Sequence, residues 1–206
     1  MARDDERMAR AQQAPIVGGL PELPGILVAM ALTPELGLHM RGLANALLVN
    51  EYPGATIGRP EREMMATAVS AGNDCFFCMD SHAAFATALL EGQGRDAEVG
   101  VLDLIKVGDD AALDRKMQAL LHIARVVGRD SLALTAADAQ TARDAGASDG
   151  DIQLAVLIAA GFSMYNRMVD GLRTMTPPVT EAHRESAIRI AEHGYAIPGV
   201  PAGATS

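Results

Sequence analysis

The spacing of apolar residues along the chain predicts a series of amphipathic helices. In residues 110–128, apolar side chains recur at helical spacing and would line one face; they are Leu113, Met117, Leu120, Leu121, Ala124 and Val127. Similar spacing follows a predicted cap at Thr33, with apolar residues at Leu36, Met40, Leu43 and Leu47. No segment shows the alternation of apolar and polar residues that is typical of a strand. The predicted fold class is therefore all-α.

Local signals give the expected helix boundaries. Pro60 is predicted to open a helix, because proline is favoured in the first turn, and Gly72 with Asn73 is predicted to end it. Asn73 or Asp74 is expected to cap a second helix that runs to about Leu90. The sequences TAAD and SDGD further along the chain have the spacing of capping boxes, so each predicts another helix start.

The chain divides into one helical domain and two terminal segments. Residues 1–24 are polar and then rich in proline and glycine, and they are predicted to form an N-terminal arm. Residues 25–195 are predicted to form the helical domain, and residues 196–206 a flexible C-terminal tail. Aromatic residues make up only 3% of the chain, so alanine, leucine and methionine must fill the core, which favours closely packed helices.

Charge and the N-terminal sequence narrow the range of partners. The net charge is −9 and no basic cluster is present, so neither nucleic acid nor an anionic membrane surface is an expected partner. The N-terminal sequence lacks the apolar core of a signal peptide, and the longest apolar stretches fall short of the roughly 20 residues of a membrane helix. We therefore expect a cytoplasmic protein, in which a close cysteine pair is more often catalytic or metal-binding than structural.

Both cysteines of the chain lie in the stretch NDCFFCMDSH. Cys75, Cys78 and His82 are spaced i, i+3 and i+7, so they fall along one face of a helix. The pair lies at the predicted start of that helix, where free N–H groups and the helix dipole favour an anion and lower the pKa of a thiol. His82 is one turn beyond Cys78 and could exchange a proton with it.

A carboxylate is predicted to face His82 from the preceding helix. If residues 72–73 form the turn of an antiparallel helix pair, positions equidistant from the turn face each other, and counting back from His82 leads to Glu63. Such a carboxylate can orient the imidazole ring and hold its proton. The candidate relay is thus Glu63, His82 and Cys78, with Cys75 ready to form a disulfide.

Each of these residues also has a simpler interpretation. Glu63 could be an ordinary first-turn acid, His82 a partly buried polar residue, and the two cysteines small core residues. The four residues could instead bind zinc, although zinc sites usually take their second pair of ligands from a distant loop and the chain has no further cysteine. The combined pattern favours redox chemistry, and we predict neither a metal nor a cofactor.

The spacing of these residues resembles that of a known family. Eleven residues separate Glu63 from Cys75, two separate Cys75 from Cys78, and three separate Cys78 from His82. This spacing resembles the pattern of AhpD-like alkylhydroperoxidases in the carboxymuconolactone decarboxylase superfamily. Two segments resemble the peroxidase-related branch of this superfamily: EREMMATAVSAGNDCFFCMDSH and LTAADAQTARDAGASDGDIQLAVLIAAGFSMYNRMVDGL. The resemblance covers most of residues 25–190. It implies an all-α fold that assembles as a homodimer, trimer or hexamer.

The resemblance implies a peroxidase that reduces hydrogen peroxide or alkyl hydroperoxides in antioxidant defence. Carried over by position, Cys78 is the attacking thiolate, Cys75 the resolving thiol, and Glu63 and His82 the proton relay. The expected reductant is a dithiol, for which the family suggests a protein-bound lipoyl group. The alternatives are a redox-sensing protein and a non-redox decarboxylase of the same superfamily; the decarboxylases do not need the dithiol, whose presence counts against them.

Two positions depart from the family pattern. Phe77 stands where the pattern has a histidine before the second cysteine, and Ser81 stands where related sequences often carry a second histidine. The proton relay therefore has fewer histidines than the family pattern, and turnover is expected to be slower. Tyr165, Asn166 and Arg167 resemble a polar cluster of the peroxidase-related branch and are candidate substrate-binding residues, although Arg167 could equally pair with an acid.

Overall fold

The computed structural model describes residues 14–177 and 181–195, and these residues form an all-α fold without strands, as predicted. The helices are α1 (Ile26–Leu32), α2 (Pro34–Leu48), α3 (Arg59–Gly72), α4 (Phe76–Gly92), α5 (Val101–Val107), α6 (Arg115–Arg129), α7 (Ala136–Asp144), α8 (Asp149–Leu172) and α9 (Glu181–His193). Two 3-10 turns span Asp96–Glu98 and Ser131–Ala133. The predicted C-terminal tail and residues 1–13 of the predicted arm lie outside the described residues.

Helix α8 runs through the centre of the core. It packs mainly against α6 and α3, and its buried side chains include Leu154, Ile158 and Phe162. Within the described ranges it is the one helix long and apolar enough to cross a bilayer, yet half of its most apolar window is buried inside the fold, as in the core helix of a soluble protein. The apolar stretches themselves are short, as predicted, because Gln153 and Ser163 bound the longest apolar run of this helix.

Two helix starts follow the sequence signals closely. The Thr135 hydroxyl accepts a hydrogen bond from the Asp138 N–H, and the Asp138 carboxylate accepts one from the Thr135 N–H, at the start of α7. Ser148 and Asp151 form the same reciprocal pair at the start of α8. Both predicted capping boxes are therefore confirmed, and they satisfy backbone N–H groups that would otherwise lack partners at these helix ends.

The start of α2 differs from the prediction. Thr33 precedes the helix but makes no side-chain cap hydrogen bond. Of the four apolar residues that follow it, Met40 and Leu47 are buried, whereas Leu36 and Leu43 are exposed. The helical period was correct, but the buried face of α2 is narrower than the apolar pattern suggested.

Helices α3 and α4 pack closely against each other and are joined by a tight turn. Asp74 adopts the left-handed conformation, with φ of 63°, which aspartate tolerates better than most residues. Asn73 is the C-cap of α3, and Cys75 occupies the N-cap position of α4. The prediction that Asn73 or Asp74 caps α4 was therefore wrong, because the chain still reverses direction at these two residues and the second helix starts only after them.

Helix α1 was not predicted, and it begins after a glycine in a backbone conformation that other residues rarely adopt. Gly25 has φ of 52°, and a Cβ at this position would lie 2.1 Å from the ring of Phe77. The Gly25 N–H donates to the carbonyl of Met175 at 2.9 Å. These contacts bring the start of α1 against α4 and against the segment that follows α8.

A buried carboxylate fastens the loop between α2 and α3 to the start of α8. Asp151 is fully buried and accepts hydrogen bonds from the N–H groups of Thr56 at 2.6 Å, Ile57 at 3.1 Å and Ser148 at 3.0 Å. Lys116 Nζ lies 2.9 Å from its Oδ2. Burial alone would raise the pKa of Asp151, but these hydrogen bonds hold that pKa well below its usual range.

Replacing Asp151 with asparagine is expected to destabilise the fold by about 2–4 kcal/mol, because an amide supplies one acceptor oxygen and leaves Lys116 without its counter-charge. Since the folded-state pKa of Asp151 is depressed, its contribution is present at neutral pH and is lost as the pH falls below about 4. Urea unfolding followed by circular dichroism between about pH 7 and about pH 3 measures both effects.

Asp149→Asn is the matched control for this test. The Asp149 carboxylate is two positions earlier in α8, but it is exposed and pairs with Arg143 at the surface. Its replacement should change the free energy of unfolding by less than about 0.5 kcal/mol. Equal stabilities of wild type and Asp151→Asn at neutral pH would contradict the structural role given to Asp151.

Candidate active site

The structure brings Glu63 and His82 together, as the sequence predicts. Nδ1 of His82 lies 2.6 Å from Oε2 of Glu63, across the interface of α3 and α4. The side chain of Glu63 is completely buried, whereas 11% of the His82 side chain remains exposed. A carboxylate removed from water in this way requires hydrogen-bond donors, and the imidazole of His82 is one of them.

Tyr195 completes this group, and the sequence analysis did not identify it. Its hydroxyl donates to Oε1 of Glu63 at 2.8 Å and lies 3.3 Å from Nδ1 of His82. Burial, followed by the negative charge of Glu63, raises the pKa of Tyr195 well above its usual value, so the phenol stays protonated and acts as a donor. We refer to Glu63, His82 and Tyr195 as the Glu63 cluster.

Three contacts hold Tyr195 in place after α9. Gly194 is in the left-handed conformation, with φ of 71°, and a Cβ there would lie 2.6 Å from Oδ1 of Asn45. The same Asn45 oxygen accepts a hydrogen bond from the Tyr195 N–H at 3.2 Å. Arg59, at the start of α3, donates to two carbonyls near the end of α9 at 2.7 and 2.8 Å. The sequence did carry one signal for Tyr195: this residue directly follows a glycine that ends a helix, and the chain has only three tyrosines.

Aromatic side chains enclose the imidazole of His82. The rings of Phe162 and Phe85 meet it edge-on, with centroids 4.5 and 5.1 Å away, and the ring of Tyr195 stacks on it at 6.1 Å. Because this apolar enclosure limits competition from water, it strengthens the hydrogen bond between His82 and Glu63. With Nδ1 held by Glu63, Nε2 is the ring atom that can exchange a proton with a ligand.

Cys75 and Cys78 are both reduced and buried at the start of α4. The thiol of Cys75 forms a hydrogen bond with the side chain of Cys78. This hydrogen bond, together with burial and the negative charge of Cys78, raises the pKa of Cys75 far above its usual value. The Cys75 thiol therefore retains its proton at neutral pH.

A carboxylate from α8 reaches the thiol pair and was also missed by the sequence analysis. The side chain of Asp170 is a second hydrogen-bond partner of Cys75. Although Asp170 is exposed as a residue, burial of its carboxyl group raises its pKa to about 6, and the charge of Asp74 adds to the rise. The hydrogen bond to Cys75 acts in the opposite direction, because it stabilises the ionised carboxylate.

A cavity of about 380 Å³ opens beside His82. Its wall is formed by parts of α1, α2, α4 and α9 and by the segment after α8, and it includes His82 and Tyr195. Phe77 and Ser81, the two positions that depart from the family pattern, also line it. Ile26 and Phe77 line the cavity and also pack against the cluster of the buried cysteines, so they connect the cavity wall with the thiol pair.

Comparison with known proteins agrees with this fold and site. The profile of the Carboxymuconolactone decarboxylase family matches residues 34–99, the region that contains Glu63, Cys75, Cys78 and His82. A crystal structure of an uncharacterized peroxidase-related protein from Silicibacter sp. TM1040 aligns with a TM-score of 0.66 at 26% identity, over 84% of this chain and 93% of that chain. These two matches support the resemblance of the chain to the AhpD-like carboxymuconolactone decarboxylase superfamily.

A second solved structure shares the fold of this chain. It is described as an alkylhydroperoxidase AhpD core and as an uncharacterized peroxidase-related protein, from Ralstonia eutropha JMP134. It aligns with a TM-score of 0.66 at 24% identity, over 81% of this chain and 82% of that chain. A search of curated protein sequences found no match. Both structural relatives are peroxidase-related proteins by description.

The three candidate substrate-binding residues on α8 do not line the cavity. Tyr165 is buried and its hydroxyl donates to the carbonyl of Met40 at 2.7 Å, whereas Arg167 is exposed and donates to a carbonyl of its own helix. Asn166 is buried and accepts a hydrogen bond at 3.0 Å from Asn73, the C-cap of α3. Asn166 therefore supports the turn ahead of the cysteines, and the three residues are not gathered around the cavity.

The alternative of a zinc site finds no donor set in residues 14–177 and 181–195. No group of three or more His, Cys, Asp or Glu side chains in these ranges is arranged so that it could hold a metal ion. Nδ1 of His82 is engaged by Glu63, and the Cys75 thiol is engaged by Cys78 and Asp170. The four residues of the superfamily pattern thus form two adjoining hydrogen-bonded groups rather than one coordination shell.

Asp170→Asn is expected to change how stability depends on pH. Because the folded-state pKa of Asp170 is raised, its contribution to stability is full below about pH 4 and declines as the pH rises through about 6. The asparagine variant lacks this decline, so it should gain stability relative to wild type between about pH 4.5 and about pH 7. Thermal unfolding of both proteins across this range measures the difference.

Asp103→Asn is the control for the Asp170 variant, since the side chain of Asp103 is exposed and pairs with Lys106 at the surface. Its unfolding temperature should follow that of wild type at every pH. Parallel curves for wild type and Asp170→Asn would show that the Asp170 carboxyl titrates normally, and the electrostatic account of the thiol pair would then fail.

Proposed function

We propose that the protein is a thiol-dependent peroxidase that reduces hydroperoxides through a dithiol–disulfide cycle of Cys75 and Cys78 in antioxidant defence. The observation that carries the proposal is a reduced, buried cysteine pair, with Cys78 one helical turn from His82 of the Glu63 cluster, beside a cavity of ligand size. The match of residues 34–99 to the Carboxymuconolactone decarboxylase family and the peroxidase-related descriptions of two solved relatives support it.

Cys78 is the attacking sulfur in this proposal. The pKa of Cys75 is raised by its interaction with the side chain of Cys78 and by burial, so Cys75 keeps the proton that the resolving step needs. Cys78 is also the third residue of α4, where free backbone N–H groups and the helix dipole stabilise an anion. The thiolate attacks the terminal oxygen of the hydroperoxide, the O–O bond breaks, and a sulfenic acid forms on Cys78 while the second oxygen leaves as an alkoxide.

The Glu63 cluster moves the proton that this step requires. His82 accepts the proton that Cys78 loses on ionisation and delivers it from Nε2 to the departing alkoxide, which leaves as an alcohol. Glu63 stabilises the imidazolium that exists between these two transfers, because its carboxylate contacts Nδ1 at 2.6 Å. Tyr195 donates to the other carboxylate oxygen and so keeps the Glu63 side chain oriented toward His82.

Cys75 completes the cycle. Its sulfur attacks the sulfenic sulfur of Cys78, an S–S bond forms, and the hydroxyl leaves as water with the proton of the Cys75 thiol. The hydroperoxide has then gained two electrons and the dithiol has lost two. An external dithiol, for which a protein-bound lipoyl group is the candidate, reduces the disulfide by thiol–disulfide exchange.

Replacing each cysteine separately tests which thiol attacks. Cys78→Ser is expected to abolish hydroperoxide consumption and to leave no sulfenic acid at Cys75, because the resolving thiol is protonated. Cys75→Ser should react once and accumulate a sulfenic acid at Cys78 that cannot form a disulfide. Trapping with dimedone followed by mass spectrometry locates the oxidised sulfur.

The double variant Cys75→Ser/Cys78→Ser gives the background for this experiment, since the chain has only two cysteines. Labelling of Cys75 in the Cys78→Ser protein at the wild-type rate would reverse the assignment of roles. Undiminished turnover of hydroperoxide by the double variant would reject the dithiol cycle itself and favour the non-redox activity of the superfamily.

Variants of the Glu63 cluster test the proton relay. Glu63→Gln and His82→Ala are each expected to slow sulfenic acid formation by about 100-fold, and their effects should not add because both act on one proton path. Tyr195→Phe should cost about tenfold, because it removes one hydrogen bond to the carboxylate but no proton carrier. Stopped-flow rates of the first step provide the measurement.

Tyr52→Phe is the matched control for Tyr195→Phe, since it removes a phenol that is not part of the cavity wall. Circular dichroism spectra of all variants establish that they are folded. A Glu63→Gln protein that reacts as fast as wild type would give Glu63 a purely structural role and would remove the relay from the mechanism.

A further inference from the structure

Two arginines face the otherwise apolar cavity beside His82. The apolar part of its wall includes Leu27, Met30, Phe85, Met175 and Ile190. Arg41 of α2 and Arg189 of α9 line the same cavity, and the lining residues include no Asp or Glu. A ligand in this space therefore meets a long apolar surface and two guanidinium groups, and it meets no carboxylate.

The two arginines also lack a counter-charge in the part of the chain that the structure describes. The ion pairs of that part engage other arginines, such as Arg95, Arg125 and Arg143, and neither Arg41 nor Arg189 is within ion-pairing distance of an acid among the described residues. Burial and then the like charge of Arg189 lower the pKa of Arg41. Two cations held next to each other at an apolar surface, in a chain of net charge −9, are stabilised when an anion binds between them.

We propose that this cavity selects hydroperoxides whose apolar chain ends in a carboxylate, as in fatty-acid hydroperoxides, a substrate class that rests on the peroxidase function proposed above. Arg41 and Arg189 bind the carboxylate, the apolar wall accepts the chain, and the hydroperoxide group lies at His82 and Tyr195. Arginine is suited to this role because its planar fork binds both oxygens of a carboxylate.

The dimensions of the cavity favour this class over smaller peroxides. A volume of about 380 Å³ is within the range of about 300–1,000 Å³ that is usual for small-molecule sites, and hydrogen peroxide would fill little of it. A neutral alkyl hydroperoxide would cover the apolar wall but leave both guanidinium groups unpaired. Phe77 and Ser81 add apolar and neutral surface beside His82, so the positive charge of the wall is concentrated at the two arginines.

The substrate class is tested with three hydroperoxides and a small set of variants. Linoleate hydroperoxide below its critical micelle concentration is compared with its methyl ester and with tert-butyl hydroperoxide, using a dithiol reductant. For wild type, kcat/KM should be about tenfold higher for the carboxylate than for the ester. Arg41→Gln and Arg189→Gln should each lower kcat/KM for the carboxylate about tenfold through KM, and change the values for the two neutral substrates less than twofold.

Two further variants separate charge recognition from damage to the fold. Arg41→Lys keeps the positive charge and should retain part of the preference for the carboxylate. Arg184→Gln removes an exposed arginine of α9 that does not line the cavity, and it should leave all three substrates unaffected. Equal kcat/KM of wild type for the carboxylate and its methyl ester, with arginine variants that behave like wild type, would overturn the proposal while leaving the peroxidase function intact.

A binding measurement separates failure of the substrate class from failure of the function. Calorimetric titration of wild type, Arg41→Gln and Arg189→Gln with decanoate and with decanol requires no turnover. Tighter binding of decanoate that is lost in both variants would support the carboxylate site, even if no hydroperoxide is consumed and the peroxidase function is rejected. Equal binding of decanoate and decanol to wild type would reject the carboxylate site, whatever the peroxidase activity.

Discussion

The buried carboxylate of Glu63 is the constraint on which the arrangement of the site depends. It is completely removed from water, and a carboxylate there is tolerated only when hydrogen-bond donors surround it. Its two side-chain donors, His82 and Tyr195, follow it in the chain by 19 and 132 positions. Helices α3 and α4 and the end of α9 therefore have to meet at one point, and the contact between Arg59 and α9 supports that meeting.

The distance along the chain explains which site residues could be predicted from the sequence. Glu63 and His82 lie on either side of one short turn, so helical counting alone pairs them. Tyr195 and Asp170 reach the site through the packing of α9 and α8, and a helical pattern identifies a buried face without identifying the helix that it meets. Tyr195 depends in addition on the left-handed conformation of Gly194, which no periodic pattern records.

The errors of the sequence analysis also have physical causes. Capping boxes at Thr135 and Ser148 were predictable because both partners lie within four residues, whereas the start of α4 depends on the left-handed backbone of Asp74. Three consecutive residues of α8 were assigned to one ligand site, but neighbours on a helix point about 100° apart and cannot share one narrow face. Tyr165 and Asn166 accordingly make different contacts on different sides of the helix.

The interactions that keep Cys75 protonated at rest would weaken after Cys78 is oxidised, when the proposed cycle needs Cys75 to lose its proton and attack. The pKa of Cys75 is raised first by its hydrogen bond to Cys78, then by burial, and then by the negative charge of Cys78. Oxidation converts Cys78 from a thiolate into a neutral sulfenic acid, which removes that charge and weakens the hydrogen bond. Burial and Asp170 remain, so the pKa of Cys75 falls without reaching that of an exposed thiol. Cys75 therefore gains nucleophilic character only after Cys78 has reacted, which orders attack before resolution.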